Sequence, residues 1–500
     1  METFDHIING FSLALTPTNL WYTFVGVLIG TIVGILPGIG PSASIAMLIP
    51  LTYGMEPVSG LIMMAGIYYG TKYGGSTTAI LIRTPGEAAS VMTSIDGYEM
   101  ARNGRAGAAL AIAAIGSFVA GTLGVLALTL FAVPLASTAL KFGPAEYFTL
   151  MLFALTAVAS LTGKSFAKGL MSSLLGLMIA TVGIDLQSGQ ERFTGGIAEF
   201  QDGIGFIVVV VGMFALAEVF RGLEKIHSGT VDRAMRITGK LWISKAEWDR
   251  SKGPIWRGSI IGFLIGILPG AGGTIASLLS YATEKRLSKN LHEFGKGAIE
   301  GVAGPEAANN SDTAGAMVPL LTLGLPGGGA TAVMMGAFIM HGIQPGPLLF
   351  QNRPDLVWGL IDSMYIGNLM LLVLNLPLIG IFVRLLYIPS GILYPLIIAI
   401  SVLGTFAING SIVELYLVLS FGVLGYAFDK VQIPIPPLVL SLVLASIMEQ
   451  SFRQALTISD GSYTIFFSSG ISISLVVMSF ISVTLPFLIP KLKQMRANQD

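Results

Sequence analysis

The segment Gly34-Ile35-Leu36-Pro37-Gly38 occurs a second time as Gly266-Ile267-Leu268-Pro269-Gly270, each time inside a strongly apolar stretch. Around these segments, residues 26–40 and 258–272 share nine of fifteen amino acids at a constant offset of 232. A Pro-Gly pair breaks a helix, and transporters use broken helices at membrane depth to hold an ion or a substrate. A buried structural kink is the alternative. The duplication predicts an internal repeat that is broken at the same point of each copy.

The composition is that of a membrane protein. Of 500 residues, 53% are hydrophobic and 11% are charged, against about 25% charged residues in soluble domains. The net charge of zero argues against a nucleic-acid partner, and the absence of cysteine excludes disulfides and thiolate sites. The first 20 residues contain no Lys or Arg, which argues against a cleavable signal peptide. Phosphate-binding and metalloprotease motifs are incomplete, so we expect no enzyme.

Apolar runs of about 20 residues predict an all-α polytopic membrane protein. We expect about 11 transmembrane helices, at 61–82, 108–133, 147–162, 166–184, 203–220, 310–340, 357–378, 385–406, 411–427, 433–448 and 465–489. The two Pro-Gly segments, 21–51 and 258–283, are predicted to be re-entrant hairpins. A helix from Arg257 to Pro269 reaches only about 18 Å, which is roughly half-way through a bilayer.

The distribution of Lys and Arg orients the chain. With the loop 221–257 in the cytoplasm, 23 of the 28 basic residues lie inside, as the positive-inside rule expects. The two Pro-Gly copies then enter from opposite faces, which predicts an inverted-topology repeat. The parts that we expect are an interfacial helix within 1–20, a first membrane repeat at 21–220, a basic cytoplasmic linker at 221–257, a second membrane repeat at 258–490 and a cytoplasmic tail at 491–500.

Each half contains a second Pro-Gly break, at Pro85-Gly86 and at Pro326-Gly327-Gly328. A helix that restarts after such a break presents free N–H groups and the positive end of its dipole. Four such ends would bind a multiply anionic substrate, although loop punctuation is the alternative. The residues that we expect to contribute from the four breaks are Gly38, Gly40, Ser42, Pro85, Gly86, Gly270, Gly272, Thr274, Gly327 and Gly328.

Lys72 is the one cation inside the predicted span 61–82. A cation in the bilayer is costly unless it is paired, so Lys72 needs either a fixed carboxylate or the substrate. We expect it to bind substrate together with the neighbouring open backbone and hydroxyls. These neighbours are Gly74, Gly75, Ser76 and Thr77.

Hard oxygen ligands cluster at the start of the predicted span 310–340. They are Asn309, Asn310, Asp312 and Thr313. This set suits a coupling ion, either Na⁺ on the oxygens or a proton on Asp312. A helix N-cap at the membrane surface is the alternative.

Several motifs resemble the large membrane subunit of bacterial tripartite tricarboxylate transporters over nearly the whole chain. The motifs are Gly34-Ile-Leu-Pro-Gly-Ile-Gly-Pro41, Tyr73-Gly-Gly75, Pro85-Gly-Glu-Ala-Ala89, Ile95-Asp-Gly-Tyr98, Gly104-Arg-Ala-Gly107, Phe142-Gly-Pro-Ala-Glu-Tyr147 and Thr181-Val-Gly-Ile-Asp185.

The resemblance implies secondary uptake of di- or tricarboxylates, citrate-like, coupled to Na⁺ or H⁺ across the bacterial inner membrane. It also implies two partners, a small membrane subunit and a periplasmic solute-binding protein, and no cofactor beyond a possible Na⁺. A passive channel or a self-sufficient ion exchanger is the alternative function.

Overall fold

The computed structural model describes residues 2–36, 39–161, 165–185, 187–227, 240–384 and 390–497. These residues are predominantly α-helical, with one short antiparallel pair of strands, β1 (Gly183–Ile184) and β2 (Glu191–Arg192). Five helical segments within the described ranges are long and apolar enough to cross a membrane, and a bent pair of helices makes a possible sixth. The class of all-α membrane protein is confirmed, whereas the count of about 11 spans stays a prediction.

The helices of the first half are α1 (Glu2–Ala14), α2 (Pro17–Gly34), α3 (Pro41–Leu48), α4 (Pro57–Ile82), α5 (Val91–Met100), α6 (Ala106–Ala139), α7 (Pro144–Leu161), α8 (Phe166–Ala180), α9 (Phe206–Val210) and α10 (Ala217–His227). Helices α9 and α10 are joined through a π-helical segment, Val211–Leu216. Helix α1 bends by 75° from α2 and packs on α16 through Gly10, while Phe4 and Ile8 are exposed.

The helices of the second half are α11 (Lys245–Gly266), α12 (Gly272–Leu287), α13 (Glu300–Leu323), α14 (Gly329–Met340), α15 (Leu349–Asn352), α16 (Pro354–Asn375), α17 (Ile379–Phe382), α18 (Ser390–Asn409), α19 (Ile412–Lys430), α20 (Pro436–Ile458) and α21 (Gly470–Ala497). The predicted span 310–340 is wrong. It consists of the end of α13 and all of α14, because the backbone leaves the helix at Gly324 and restarts at Gly329.

Glycines one helical turn apart pack α2 against α4 and α11 against α13. A Cβ on any of these glycines would lie closer than 3.0 Å to a backbone carbonyl of the partner helix, so only glycine permits the contact. The pairs in the first half are Gly26 with Met63, Gly30 with Ile67 and Gly34 with Thr71. The pairs in the second half are Gly258 with Gly304, Gly262 with Ala308 and Gly266 with Asp312. The two halves therefore repeat the same packing.

The order of these contacts fixes the relative directions of the helices. Residue numbers rise together on α2 and α4, and again on α11 and α13, so each pair runs parallel. The chain between two parallel helices must return to the side from which the first one started, as a re-entrant hairpin requires. The broken stretches α2–α3 and α11–α12 make this return.

The two equivalent helices α4 and α13 cross antiparallel. Lys72 contacts Asn309, and Ser76, one turn further along α4, contacts Glu306, which lies earlier on α13. Antiparallel equivalents are what an inverted repeat requires. The orientation of the halves relative to a membrane stays a prediction.

The second break also has the same geometry in both halves. Helix α4 ends at Arg83 and α13 ends at Gly324, both in the left-handed region, with φ of 55° and 68°. Two residues later a proline follows, and then a glycine that packs on the carbonyl of the first break, Gly86 on Gly34 and Gly327 on Gly266. The first and second breaks of each half therefore touch, which brings four helix starts together.

Candidate functional site

The four restarting segments meet at one place in the fold. Gly40, before α3, faces Glu87, and Gly328, before α14, faces Gly272 at the start of α12. A Cβ on Gly329 would lie 2.9 Å from Ser42 Oγ. The start of α12 also lies beside Lys72, because a Cβ on Gly273 would lie 2.8 Å from Nζ of that lysine.

Lys72 lies at the centre of this convergence and is buried. Its ammonium donates to Oδ1 of Asn309 at 2.8 Å and lies 3.3 Å from Oε2 of Glu87 and 3.8 Å from Oδ2 of Asp312. The sequence predicts that Lys72 pairs with either a fixed carboxylate or the substrate, and the structure contains fixed carboxylates next to it. Asn309 also donates to Glu87 at 2.6 Å, so the amide holds both members of the ion pair.

The central cluster has more acid than base. One ammonium faces two carboxylates, Glu87 and Asp312, and Oδ1 of Asp312 is buried without a hydrogen-bond partner among the described residues. In low dielectric such an excess of negative charge is unfavourable unless a proton or a cation compensates it. The cluster therefore has two properties. Its N–H groups can bind an anion, and its excess carboxylate charge must be neutralised by a proton or a cation.

The predicted ion-ligand set is divided between two places. Asn309 and Asp312 face Lys72, whereas Asn310 donates to Ser117 Oγ at 2.7 Å. The cause is the 100° rotation per residue of α13, which begins at Glu300, well before this segment. The alternative of an N-cap is wrong, because these residues lie in the middle of a buried helix. Thr313 donates a weak hydrogen bond, 3.4 Å long, to the carbonyl of Asn309, and its side chain also hydrogen-bonds to Tyr68.

Several predicted substrate residues lie elsewhere. Thr274 is exposed. Gly74 packs on the carbonyl of Thr31 and so serves helix packing. Gly270 lies within the break after α11, where its N–H donates to the carbonyl of Gly327 at 2.9 Å and is therefore already occupied. Gly38 lies outside the described residues.

Other predicted residues do border the convergence. Gly75 would place a Cβ 3.2 Å from Cγ of Glu87, and Pro85 and Gly86 form the turn that delivers that carboxylate. Ser76 and Thr77 line a small void next to the cluster. Direct contact of these residues with a substrate stays a prediction.

Two buried carboxylates were missed in the sequence. Glu87 follows Pro85-Gly86 between the predicted spans 61–82 and 108–133, and its side chain completes the Lys72 cluster. Glu306 precedes the predicted start of a span but lies inside α13, where it is fully buried. The available signal was its spacing of three and four residues from Asn309 and Asn310, which places the three on adjoining faces of one helix.

A cavity of about 710 Å³ lies beside the C-terminal end of α14 and along α20 from Leu442 to Gln454. Both helices start beside the convergence, where a Cβ on Gly329 would lie 3.3 Å from Pro436, and both reach the cavity, at Ile339 and Arg453. Two arginines at its rim, Arg192 and Arg453, form ion pairs with two acids. These acids are Asp185 and Glu449.

The pair of Asp185 and Arg453 at the rim stays charged at neutral pH. The hydrogen bond from Arg453 to Asp185, 2.8 Å long, and backbone N–H groups hold the pKa of Asp185 well below its usual range. The four charges tie the β1–β2 hairpin to α20.

Comparison with known proteins identifies the family. The sequence profile described as "Tripartite tricarboxylate transporter TctA family" matches residues 20–440, most of the chain. The chain belongs to this family. It is therefore a membrane component of a transporter of the tripartite tricarboxylate type, and the resemblance drawn from its motifs is confirmed.

Two proteins of Agrobacterium vitis are similar in sequence to this chain. One, an uncharacterized 52.8 kDa protein in the TAR-I ttuC' 3' region, is 48% identical over 99% of this TctA-family chain and 98% of its own length. The other, an uncharacterized protein in the TAR-II ttuC' 3' region, is 45% identical over 47% of this chain and 97% of its own length. No solved structure matches the chain significantly.

Proposed function

We propose that this chain is the permease subunit of a binding-protein-dependent secondary transporter that takes up di- or tricarboxylates, citrate-like, together with Na⁺ or H⁺. It works in the bacterial inner membrane with a small membrane subunit and a periplasmic solute-binding protein. Family membership supports the transporter class. The substrate, the coupling ion and the dependence on the partners are the proposal.

The observation that carries the proposal is the convergence of four helix starts around Lys72. A carboxylate there accepts hydrogen bonds from free N–H groups and lies at the positive ends of the helix dipoles. Two or three carboxylates on one small molecule can engage several of these starts at once. Without substrate, the ammonium of Lys72 pairs with the protein carboxylates Glu87 and Asp312. When substrate binds, the ammonium pairs with the carboxylates of the substrate instead.

The excess acid of the cluster favours cation coupling. Glu87 and Asp312 repel an incoming anion until protons or metal cations neutralise them. The membrane potential adds a second reason, since each elementary charge moved costs about 2.3 kcal/mol per 100 mV. A trianion that entered alone would face roughly 7 kcal/mol at 100 mV, so at least three cations are needed for neutrality.

The cavity beside α14 and α20 suits substrate entry. It is lined by the C-terminal end of α14 and by the middle and second half of α20, and both helices start beside the convergence. Substrate delivered there by a binding protein would move along α14 towards its N-terminus. The paired charges at the rim leave this entrance without a strong net field.

Uptake of radiolabelled citrate and dicarboxylates into proteoliposomes tests the proposal. The chain is reconstituted with its small subunit, and the binding protein and Na⁺ or H⁺ gradients are added separately. We expect accumulation that requires both the binding protein and one cation gradient. Equal uptake without the binding protein or without any gradient would overturn the proposal in favour of an exchanger or a channel.

A further inference from the structure

Glu306 is a buried carboxylate with hydroxyl partners and no cation. Ser76 on α4 donates to its Oε2 at 2.6 Å, Ser117 on α6 lies 3.4 Å from the same oxygen, and Thr93 on α5 donates to Oε1. In the part of the chain that the structure describes, no Lys, Arg or His makes an ion pair with this carboxylate. An ionised group in this position requires a positive charge from outside the protein.

The surrounding atoms are oxygens with free lone pairs. A hydroxyl that donates its proton to Glu306 keeps its lone pairs for a cation, two of them unless, as in Ser117, one already accepts a hydrogen bond. The amide nitrogen of Asn310 donates to Ser117 and to the carbonyl of Glu306, which leaves Oδ1 of Asn310 buried and without a partner. Four oxygen-bearing side chains from four helices therefore surround one carboxylate, and none of these side chains offers a nitrogen or sulfur ligand.

A small void adjoins this group. It has a volume of about 10 Å³, close to the minimum that holds one water molecule. Its polar lining includes Ser76, Ser117 and Asn375, whose Oδ1 also has no partner in the described structure, whereas Glu306 lies behind the two serines. The void is too small for a carboxylate substrate.

We propose that Glu306, Ser76, Thr93, Ser117 and Asn310 form a Na⁺ site separate from the Lys72 cluster. One carboxylate with neutral oxygen ligands suits a hard monovalent cation. The inference rests on the proposed function and deepens it, since it assigns the coupling ion and the residues that hold it. It also differs from the expectation drawn from the sequence, because it places the coupling ion at Glu306 and not at Asp312.

The two sites are close enough to influence each other. Ser76 lies one turn after Lys72 on α4, and Glu306 lies one turn before Asn309 and Asn310 on α13. A Na⁺ bound at Glu306 removes one negative charge next to the place where the carboxylate binds. Anion affinity therefore rises when Na⁺ is bound, and by linkage the anion raises the affinity for Na⁺ by the same factor, on the order of tenfold.

Thermal unfolding of the purified chain in NaCl against choline chloride of equal ionic strength tests the site directly. We expect Na⁺ to raise the midpoint of the wild type in a saturable manner, Ser117→Ala to weaken the apparent Na⁺ affinity roughly tenfold, and Glu306→Gln to abolish the response. Asp362→Asn is the matched control, because Asp362 on α16 is an equally buried carboxylate but, among the described residues, no hydroxyl or amide hydrogen-bonds to its oxygens. It should respond to Na⁺ as the wild type does.

Two outcomes would overturn the inference. One is a wild-type midpoint that does not respond to Na⁺, and the other is a response that is unchanged in Ser117→Ala and in Glu306→Gln. If Glu306→Gln does not fold, Ser76→Ala with Ser117→Ala decides the question.

Citrate binding to the same samples separates this inference from the proposed function. If the wild type binds citrate and Na⁺ still raises the unfolding midpoint of Glu306→Gln, only the proposed location of the Na⁺ site is wrong. If the wild type binds no carboxylate at all, the proposed function is wrong.

Discussion

The ammonium of Lys72 donates a 2.8 Å hydrogen bond to Oδ1 of Asn309, a residue 237 positions further along the chain. This contact joins α4 and α13, the equivalent helices of the two halves, at the place where they cross antiparallel. Asn309 in turn donates to Glu87, so one amide organises the charges of the centre. Any substrate that binds Lys72 must rearrange this contact, which links substrate binding to the packing of one half on the other.

The first prediction concerns Lys72. Lys72→Ala removes the cation that anchors the substrate, so carboxylate uptake should be lost. It also leaves Glu87 and Asp312 buried without their partner, and the free energy of unfolding should fall by about 3–5 kcal/mol. Lys72→Arg should also transport poorly, because a planar guanidinium does not replace a compact ammonium. Uptake per folded protein and thermal unfolding measure both effects.

A triple variant provides the control for Lys72. Adding Glu87→Gln and Asp312→Asn to Lys72→Ala removes the unpaired charges and should restore most of the stability without restoring uptake. Normal uptake by Lys72→Ala would show that this lysine is only structural.

The second prediction concerns Asp312. Asp312→Asn keeps the shape of the side chain but removes one of the two negative charges at the centre. Fewer cations are then needed before an anion binds, so uptake should depend less steeply on cation concentration. Titrations of uptake with Na⁺ and with pH measure this dependence, and delivery by the binding protein should be unaffected. Unchanged cation affinity together with unchanged uptake would place the coupling elsewhere.

The sequence predicted the repeat better than it predicted the site. The duplicated Pro-Gly segment located the breaks because proline and glycine act locally, whatever they pack against. Lys72 was located because an isolated charge in an apolar span is conspicuous. Glu87 and Glu306 were missed because both are adjacent to Pro and Gly, which makes their segments resemble loops. Their burial depends on the antiparallel crossing of α4 and α13, a contact between residues more than 200 positions apart.

Asp96 illustrates the same limit. The Ile95-Asp96-Gly97-Tyr98 motif supported the resemblance, yet it gave no indication of what the aspartate does. In the structure its carboxylate accepts hydrogen bonds from three backbone N–H groups that lead into α13, and from the hydroxyl of Tyr281. The three donors are Gly295, Gly297 and Ala298. Asp96 therefore fixes the entry to α13, a role that only long-range contacts define.

The third prediction concerns the glycine contacts. A Cβ on Gly266 would lie 2.6 Å from the carbonyl of Asp312, so Gly266→Ala pushes α11 away from α13 at the centre. Overpacking of this kind costs about 1–3 kcal/mol. Thermal stability should fall, and uptake should fall more than stability explains because Asp312 moves. Gly380→Ala is the control, since no atom lies near its Cβ position. Equal effects of the two substitutions would refute the role of the close contact.

The fourth prediction is topological. The loops at 52–60 and 284–296 should lie on opposite sides of the membrane, outside and inside respectively. Single cysteines at Glu56 and Ser288 are informative because the chain has no other cysteine, and Glu56 is an exposed residue just before α4. Labelling of intact cells with an impermeant thiol reagent should reach Glu56→Cys, and Ser288→Cys should react only after permeabilisation. Labelling of both from one side would contradict the inverted repeat.

The central claim is that carboxylates bind where the four helix starts meet. Ser42 lies at the start of α3, is partly exposed, and borders the start of α14. Ser42→Cys places a single thiol there, and Ser462→Cys places one in a distant exposed loop as a control. The decisive measurement is the rate of thiol labelling of the two purified variants with and without citrate, in the presence of Na⁺. The account predicts that citrate slows labelling at Ser42→Cys and leaves Ser462→Cys unchanged. Equal rates with and without citrate at Ser42→Cys, in protein that transports citrate, would contradict it.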